Sequence, residues 1–384
     1  MSASADLGSH LPASWRDRFR AWREGLTASP SFRRWAAAFP LTRPLARRRA
    51  RALFDLCAGF IYSQILLACV RLGLFDLLRD GPVTEPSLAA RMDLSTEGAA
   101  RLLRAAAALD LVALRDDGRW TLGPLGAAMI DNPGIAAMVE HHALLYADLA
   151  DPVALLRRPR GGNALSGYWA YAGADAPDAL QRDRTADYTA LMAASQPMVA
   201  EEVIAAYDFR RHRCLLDVGG GSGAFLAAVA PAAPALRLML FDLPAVAEQA
   251  RERFSGLRLE GRATAVGGNF AKDPLPPGAD LVSLVRVLHD HDDEVVLALL
   301  QSVRAALPAG GRLLVAEPMS GTPGAEPAGD AYFGIYLLAM GRGRPRRVEE
   351  LQDMLLAAGF AQSRLLATRT PLLTRVLVAD VTPS

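Results

Sequence analysis

An acid followed by alternating glycines is the segment of the sequence best suited to bind a ligand. Asp217 lies two residues before Gly219. Gly221 and Gly223 follow at every second position. Glycines let the backbone turn tightly and present N–H groups to a ligand, and the acid can reach an ammonium group. The spacing also satisfies a loose dinucleotide fingerprint, but the loop lacks the lysine followed by Ser or Thr that a Walker-type phosphate loop requires.

Polar and aromatic side chains follow at the ends of the next two apolar runs. Asp242 lies nineteen residues after Gly223, where a carboxylate can accept both ribose hydroxyl protons of a nucleoside. Asn269 offers an amide oxygen to an exocyclic amine, and Phe270 offers an aromatic face to an adenine ring. Each residue alone is compatible with an ordinary turn. Their order favours a nucleoside-containing ligand, in either a nicotinamide or an adenosylmethionine protein.

His289 is the residue best suited to proton transfer. Acids occupy positions 290 and 292–294, and carboxylates can hold one imidazole tautomer and stabilise the imidazolium. A single histidine is more often structural, but an imidazole with an unperturbed pKa of about 6.5 can accept a hydroxyl proton at neutral pH. Glu317 ends a later apolar run and could equally be a surface carboxylate.

Short apolar runs alternate with helical segments from residue 214 onward, and they predict the elements that position these side chains. Such alternation indicates a Rossmann-like, doubly wound α/β sheet covered by helices on both faces. The carboxyl ends of parallel strands meet at one edge, so we expect the residues above to share a crevice. The predicted strands are 214–218, 236–241, 263–266, 281–285 and 312–316, with a late pair near 363–368 and 374–378.

The region before the sheet, 52–190, is predicted to be helical with a winged-helix pattern. A helix over 96–109 follows the cap residue Ser95, and residues 112–122 alternate around an Asp-Gly turn as a hairpin wing. This pattern raises a DNA-binding hypothesis, but the second helix is rich in alanine and offers only Arg101 and Arg104 to DNA. A dimerisation or substrate-lid role is therefore favoured. The apolar run 56–70 is shorter than the roughly 20 residues of a spanning helix and is expected to be a buried helix.

The first 51 residues differ from the rest in charge. They hold eleven arginines against three acids, together with three of the five tryptophans. Interleaved arginine and aromatic residues are typical of a segment at an anionic membrane surface, although a solvated arm or a subunit contact would look similar. The whole chain has a net charge of only +1, which argues against a nucleic-acid partner. Its three cysteines lack metal or disulfide spacing, which fits the cytoplasm, and no secretory signal is visible.

Taken together, the motifs resemble those of class I S-adenosylmethionine-dependent methyltransferases. The segments 215–225, 240–244, 266–270, 286–294 and 314–318 are similar to the small-molecule O-methyltransferases that include plant caffeate and bacterial polyketide enzymes, over about residues 52–380. This resemblance implies S-adenosylmethionine as methyl donor, no metal, a homodimer, and His289 as general base flanked by Asp290 and Glu317. The implied cofactor-binding residues are Asp217, Gly219, Gly221, Gly223, Asp242, Asn269, Phe270 and Arg286.

Some positions depart from the plant pattern. Asn269 stands for an aspartate, and Val285 stands for a lysine, which leaves Arg286 as the nearby cation. Pro345 occupies the place of a second glutamate beside the base, so Asp290 and Glu317 alone would hold His289. Ser195 or Gln196 could reach the cofactor's carboxylate, and at least one of His141 and His142 is expected to be a core residue.

Within that family the chain most resembles the hydroxycarotenoid O-methyltransferases of photosynthetic bacteria. The supporting segments are the basic arm, 141–152 and 339–347. This resemblance implies methylation of a lipophilic hydroxyl, namely the tertiary 1-hydroxyl of an acyclic carotenoid of the spheroidene or spirilloxanthin type, by a cytoplasmic enzyme peripheral to the inner or photosynthetic membrane. The expected domains are an arm (1–51), a helical winged-helix dimerisation domain (52–190) and a catalytic domain (191–384).

Three alternatives remain open from the sequence. An O-methyltransferase of this family could instead act on a phenolic or polyketide substrate. A nicotinamide-dependent oxidoreductase would need a hydride-transfer site such as a Tyr-x-x-x-Lys pair, and the only lysine, Lys272, is not so placed. A winged-helix regulator could sense a ligand through an inactive domain, but an intact His289 beside an intact glycine loop argues against it.

Overall fold

The computed structural model describes residues 14–157, 162–168 and 182–382, with side chains from Leu191 onward in the last range. Residues 1–13 of the predicted arm and parts of the predicted 52–190 region lie outside the described residues. The predicted α/β fold with an N-terminal helical, winged-helix region is confirmed.

Three helices begin the described chain: α1 (Trp15–Ala28), α2 (Pro30–Ala38) and α3 (Arg43–Arg71). Their starts follow from local sequence. Ser14 and Asp17 form a capping box on α1, and Ser29 caps α2, whose first residue is a proline. None of the residues of α1 is buried. Burial by the protomer therefore does not account for the aromatic residues on α1.

A small winged-helix unit follows. The wing strands β2 and β3 pair antiparallel as predicted, and β1 adds a third strand on the other side of β3. Trp120 on β3 is 3% exposed and belongs to the apolar core of this unit. On α6 the predicted Ser95 cap is present, and Arg101 pairs with Glu97 on the same helix. The elements are α4 (Leu74–Leu77), β1 (Val83–Thr84), α5 (Glu85–Arg91), α6 (Thr96–Ala108), β2 (Val112–Leu114), β3 (Arg119–Leu122) and α7 (Pro124–Ala127).

Between this unit and the sheet, the described residues form the helices α8 (Pro133–Asp148), α9 (Pro152–Arg157), α10 (Ala164–Tyr168) and α11 (Arg182–Ala206). The expected boundary between residues 190 and 191 falls inside α11. This helix packs against α8, and farther along it packs on the first helix of the sheet domain. The helix thus links the two parts continuously.

The second part is a seven-stranded sheet in the order β6-β5-β4-β7-β8-β10-β9. The first five strands are parallel, and β10 is antiparallel to both its neighbours. Its elements are β4 (Cys214–Val218), α12 (Ala224–Ala232), β5 (Arg237–Asp242), α13 (Pro244–Gly256), β6 (Ala263–Gly267), β7 (Leu281–Val285), α14 (Asp293–Ala306), β8 (Arg312–Glu317), α15 (Gly334–Met340), α16 (Val348–Ala357), β9 (Gln362–Leu366) and β10 (Arg375–Asp380).

Two apolar clusters cover the two faces of the sheet. One joins it to α14 and α16, and the other joins it to α11, α12 and α13. Every residue of β4 and β7 is buried, as expected of central strands in a doubly wound sheet. The chain moves from β4 outward to β5 and β6, then returns to β7 on the other side of β4. The carboxyl ends of β4 and β7 therefore flank the crevice in which such sheets bind ligands.

The prediction of a buried helix over 56–70 is wrong for the protomer. This run belongs to the longer α3, in which only Leu67 and Cys69 are buried, while Leu56 and Phe60 are 81% and 66% exposed. An 18-residue window of α3 has a mean hydropathy of 1.8 and is 11% buried, so by length and composition alone this helix could cross a membrane. The physical reason for the error is that much of the apolar surface of α3 lies outside the protomer's own core. Apolarity alone does not show what covers it.

Candidate active site

The glycine loop after β4 is packed from behind and open at its centre. Gly219, Gly221 and Gly223 have φ angles of +70°, +58° and +76°, which glycine adopts without strain. A Cβ at Gly219 would lie 2.9 Å from Val287, and one at Gly223 would lie 2.7 Å from Phe254. A Cβ placed at Gly221 would have no atom within 4 Å. The open side faces a cavity of about 340 Å³, which Gly219 and Gly221 help to line.

Asp217 presents a buried carboxylate oxygen to this cavity. Its Oδ1 accepts a hydrogen bond from the Ser283 hydroxyl at 2.6 Å, while its Oδ2 is buried without a partner among the described residues. Burial and the nearby Asp242 raise the pKa of Asp217 to about 7, against the effect of Ser283. An orphaned carboxylate oxygen that lines a cavity is matched well by a ligand ammonium group. This residue fits its predicted role.

Asp242, at the end of β5, is fixed beside the same loop. Its Oδ2 accepts from the Gly221 amide at 2.8 Å, and its Oδ1 accepts from the Leu243 amide at 2.7 Å. Burial raises the pKa of Asp242 to about 6, against these two donors. Each carboxylate oxygen has a further lone pair, so the group can still accept the two ribose hydroxyls for which it was predicted.

Asn269 and Phe270 lie on the other side of the cavity, which both residues line. The Asn269 side-chain oxygen already accepts from the Ala271 amide at 3.0 Å, so part of its predicted acceptor capacity is used by the local turn. One lone pair of that oxygen remains for an exocyclic amine. The ring of Phe270 packs edge-on against the His291 ring, with centroids 5.2 Å apart.

Arg286, directly after β7, is the predicted cation at the cavity, and it lines the cavity wall. Its φ of +60° is unusual for a residue with a Cβ. Its guanidinium donates to Ser195 at 2.8 Å and to Gln196 at 3.4 Å, and it contacts the sulfur of Met192. Ser195 and Gln196 were expected near the cofactor's carboxylate, and the structure places them where they orient this guanidinium. The predicted cation is therefore held at the cavity wall by α11.

Several residues of the site were not predicted from the sequence, and four of them have polar or sulfur-containing side chains that bear on ligand binding. Met192, Lys272 and Arg342 line the cavity, and Ser283 holds Asp217. Ser283 had a detectable signal, because it is the single polar residue in an otherwise apolar central strand. The other three belong to segments whose approach to the cavity depends on tertiary packing.

His289 lies on the short 3-10 turn Leu288–Asp290 that follows β7, and it is 5% exposed. Its backbone N–H donates to Glu317 Oε2 at 3.1 Å, and its Nδ1 lies 3.3 Å from the same oxygen. Its Nε2 lies 3.2 Å from Asp290 Oδ1. The structure therefore brings the three predicted catalytic residues together. Glu317 is fully buried, and its Oε1 has no partner among the described residues.

The electrostatic environment of His289 favours a charged ring. Burial alone would lower the pKa of His289, but the charge of Asp290 and the hydrogen bond and charge of Glu317 outweigh it, so that the pKa is raised despite Arg286. When the ring is neutral, an Nδ1–H donated to Glu317 leaves Nε2 with its lone pair. That tautomer has the basic nitrogen on the side of Asp290.

The cavity reaches this turn through its neighbours. Asp290 and His291 line the cavity, whereas His289 does not itself line it. The His289 ring also meets Phe333 edge-on at a centroid distance of 5.8 Å. A hydroxyl that is to give its proton to Nε2 must therefore approach it from the cavity, beside the Asp290 carboxylate. In the described ranges no three His, Cys, Asp or Glu side chains are arranged to hold a metal ion.

The helices beyond the turn form an apolar wall with two polar pairs. His141 and Tyr336 are hydrogen-bonded at 2.7 Å, and so are His142 and Tyr332. Burial lowers the pKa of His141 to about 4, with a smaller contribution from His142. His141 is the buried core histidine that was expected. These pairs join α8 to the segment around α15, and burial lowers the pKa of His142 as well as that of His141.

Two family models match the chain. A model of the O-methyltransferase domain matches residues 146–361, and a model of the O-methyltransferase dimerisation domain matches residues 54–132. Among curated proteins, the chain is 45% identical over 359 residues to demethylspheroidene O-methyltransferase of Cereibacter sphaeroides, covering 94% of each chain. It is 44% identical to the protein of the same name in Rhodobacter capsulatus, covering 89% of this chain and 84% of that one.

Solved structures of methyltransferases also superimpose on this chain. Human N-acetylserotonin methyltransferase in complex with S-adenosylmethionine superimposes with a TM-score of 0.73 at 25% identity, covering 87% of this chain and 98% of that one. CalO1, a methyltransferase of calicheamicin biosynthesis in its S-adenosylhomocysteine-bound form, gives a TM-score of 0.73 at 29% identity, covering 88% and 98%.

Proposed function

The chain belongs to the S-adenosylmethionine-dependent O-methyltransferases, and we propose that it methylates the tertiary 1-hydroxyl of an acyclic carotenoid. The observation that carries the substrate class is the 45% identity to demethylspheroidene O-methyltransferase over 94% of both chains. An identity that extends across nearly the whole length includes the helices that wall the site as well as the cofactor loop.

The residues around the cavity fit the methyl donor. S-Adenosylmethionine supplies an electrophilic methyl carbon on a sulfonium. Asp217 Oδ2 is the buried acceptor for its ammonium group, and Arg286 is the cation for its carboxylate. The remaining contacts are those of the nucleoside: Asp242 accepts the ribose hydroxyls, and Asn269 and Phe270 receive the adenine. The space at Gly221 lets the ligand approach the backbone.

We assign the general base to His289. Glu317 holds the Nδ1–H, so Nε2 would accept the hydroxyl proton as the substrate oxygen bonds to the methyl carbon. The methyl–sulfur bond would break in the same step, with S-adenosylhomocysteine as the leaving group. Asp290 and Glu317 then stabilise the imidazolium that forms. A tertiary alcohol is much less acidic than a phenol, so its oxygen becomes a good nucleophile only as its proton leaves. Dependence on His289 is therefore expected to be strong.

A substrate panel tests the proposed specificity. Incubated in detergent micelles with labelled S-adenosylmethionine, the protein is expected to methylate acyclic 1-hydroxycarotenoids with a kcat/KM at least about tenfold above that for phenols of similar polarity. Methylated products are quantified by radiochromatography. A preference for phenolic or polyketide acceptors would contradict the carotenoid assignment while leaving the O-methyltransferase activity intact.

The dimerisation domain at residues 54–132 supports a homodimer. It includes the second half of α3, whose exposed apolar side chains are not covered by the part of the protomer that the structure describes. We infer that a second copy of the chain covers this half of α3. Residues before 54 lie outside the matched domain, so the dimerisation domain does not account for their exposed side chains.

We also propose that residues 1–51 hold the enzyme on the cytoplasmic face of an anionic membrane. Trp15, Phe19 and Trp22 share one face of α1 by their spacing and are 73%, 55% and 61% exposed. The eleven arginines and three acids of residues 1–51 give this segment a charge of +8, while the 31 basic and 38 acidic side chains of the rest give −7. This separation of charge fits a segment whose aromatic rings lie at the depth of the lipid headgroups and whose arginines contact lipid phosphates. A membrane-resident polyene would then be close to the enzyme.

Vesicle sedimentation tests the membrane proposal. Replacing Trp15 and Trp22 by serine is expected to weaken partition onto phosphatidylglycerol-containing vesicles by at least about tenfold, because two exposed indoles no longer bury their apolar surface. The matched control is Leu114→Ser with Leu125→Ser, which are comparably exposed elsewhere (58% and 57%). Equal partition of both double variants, or equal binding of the unaltered protein to purely zwitterionic vesicles, would remove the proposal.

A further inference from the structure

Arg346 is a fully buried cation beside the turn that carries His289. Its relative exposure is 0%. Nη1 donates to the Leu288 carbonyl at 2.7 Å, and Nη2 donates to the His291 carbonyl at 2.7 Å. Nε and Nη2 also donate to Asp293 Oδ1 at 2.9 and 2.7 Å. One guanidinium thus binds the backbone on both sides of His289.

The turn has few other means of holding its shape. Its backbone–backbone hydrogen bonds are the 3.2 Å contacts from the Asp290 amide to the Val287 carbonyl and from the His291 amide to the Leu288 carbonyl. The His289 amide donates instead to Glu317 Oε2. It has no side-chain cap at its start. A planar guanidinium with several fixed donors can bridge two carbonyls, which the single point charge of a lysine ammonium does poorly.

The loop that delivers Arg346 lies directly against the same turn. Gly343 has a φ of +75°, and a Cβ there would lie 2.1 Å from the His289 carbonyl oxygen. The Gly343 amide donates to Asp292 Oδ1 at 3.1 Å. This backbone approach and the guanidinium therefore bring a segment more than 50 residues along the chain against the turn.

We propose that Arg346 is a positioning residue for His289. It acts by holding the Leu288–His291 backbone so that the imidazole keeps its contacts with both Glu317 and Asp290. Burying a charge is costly, and an apolar side chain could fill the same space without that cost, so the bonds to the two carbonyls are what the guanidinium adds. The proposal rests on the assignment of His289 as general base.

The test compares Arg346→Lys with Arg344→Gln. Arg344 shares the partner Asp293 at 3.0 Å and pairs with Glu350, but its side chain is 42% exposed and none of its hydrogen bonds reaches the turn. Arg346→Lys is expected to lower kcat per S-adenosylhomocysteine-binding site by about 10- to 100-fold, with the KM for S-adenosylmethionine within about twofold of the unaltered enzyme. Arg344→Gln is expected to leave kcat, KM and pH profile within twofold of the unaltered enzyme.

The pH profile separates positioning from simple stabilisation. Asp290 and Glu317 raise the pKa of His289, whereas burial and Arg286 lower it. If the turn moves in Arg346→Lys, the His289 ring loses its contacts with Asp290 and Glu317 but stays buried, so the pKa of His289 falls. The acid limb of the kcat profile is then expected at lower pH. A lower melting temperature with kcat per site and acid limb unchanged would overturn the proposal.

A second variant covers the case in which Arg346→Lys does not fold. Asp293→Asn leaves the guanidinium in place but removes its charged partner, and a smaller loss of kcat with the same direction of pH shift is expected. No shift in Asp293→Asn would also contradict the proposal. If the unaltered enzyme transfers methyl groups with no dependence on His289, the proposed general base fails, which is a different result from a failure at Arg346.

Discussion

The His289→Gln protein is expected to bind S-adenosylhomocysteine with an affinity within about twofold of the unaltered enzyme and to transfer methyl groups about 10²- to 10⁴-fold more slowly. The reason is that His289 contributes a basic nitrogen to the reaction but does not line the cofactor cavity. Glutamine preserves a donor for Glu317 and fills most of the space. Affinity is measured by calorimetry and rate by labelled methyl transfer to a hydroxycarotenoid.

The matched control for this variant is His212→Gln. Like His289, His212 contacts a carboxylate and does not line the cavity; its ring lies 3.1 Å from Asp280 and 2.6 Å from the Tyr207 hydroxyl. Unlike His289, it is not next to a residue that lines the cavity. This replacement is expected to lower stability and leave kcat per folded enzyme nearly unchanged. A near-normal rate for His289→Gln, or an equal loss in both variants, would contradict the assignment of the base.

Asp217→Asn is expected to weaken S-adenosylmethionine binding by about 10- to 100-fold at pH 8, because a charge-assisted hydrogen bond to the ammonium becomes a neutral one. The pKa of Asp217 is about 7 in the free protein, so the carboxylate becomes ionised as the pH rises through that value. Affinity of the unaltered enzyme should therefore increase with pH across this range. The variant should lack that increase, and calorimetry between pH 6 and 8.5 measures both.

The same variant is expected to make the ligand-free protein more stable at pH 8. A carboxyl with a pKa near 7 in the folded state and about 3.9 when unfolded binds more protons in the folded state between these values, so its contribution to stability falls as the pH rises through that window. The amide of Asp217→Asn cannot ionise, so the variant does not lose this contribution to stability as the pH rises. Scanning fluorimetry checks the melting temperature; a lower melting temperature at pH 8, or unchanged cofactor affinity, would contradict the proposed role of the buried oxygen.

The sheet and most of the cofactor site could be predicted because their signals are local. The strands Cys214–Val218 and Leu281–Val285 have the predicted bounds, since each is a five-residue buried run with turn signals at its end. Because these two strands are adjacent and parallel, the residues that follow them lie at the same edge of the sheet. The positions of Asp217 and His289 follow from that geometry.

The features that were missed depend on contacts distant in sequence. Residues 341–347, with four arginines, look like a solvated basic loop, yet Arg346 is the largest of the fully buried side chains. Its partners lie more than 50 residues earlier, and no periodicity identifies them. The composition of α3 predicts its apolar character, but no local sequence pattern shows that its apolar surface lies outside the protomer's core. Asn269 was predicted as a ligand acceptor without the competing turn to Ala271.

The most direct test of the account is a single-turnover experiment with trideuteromethyl-labelled S-adenosylmethionine and an acyclic 1-hydroxycarotenoid between pH 5 and 9. The account predicts a product that carries the labelled methyl group on the original hydroxyl oxygen. The rate should fall on the acid side with an apparent pKa above the ordinary histidine value of about 6.5, because Asp290 and Glu317 outweigh burial at His289. An unlabelled product with NADH bound tightly in place of the methyl donor, or a rate independent of pH over this range, would contradict it.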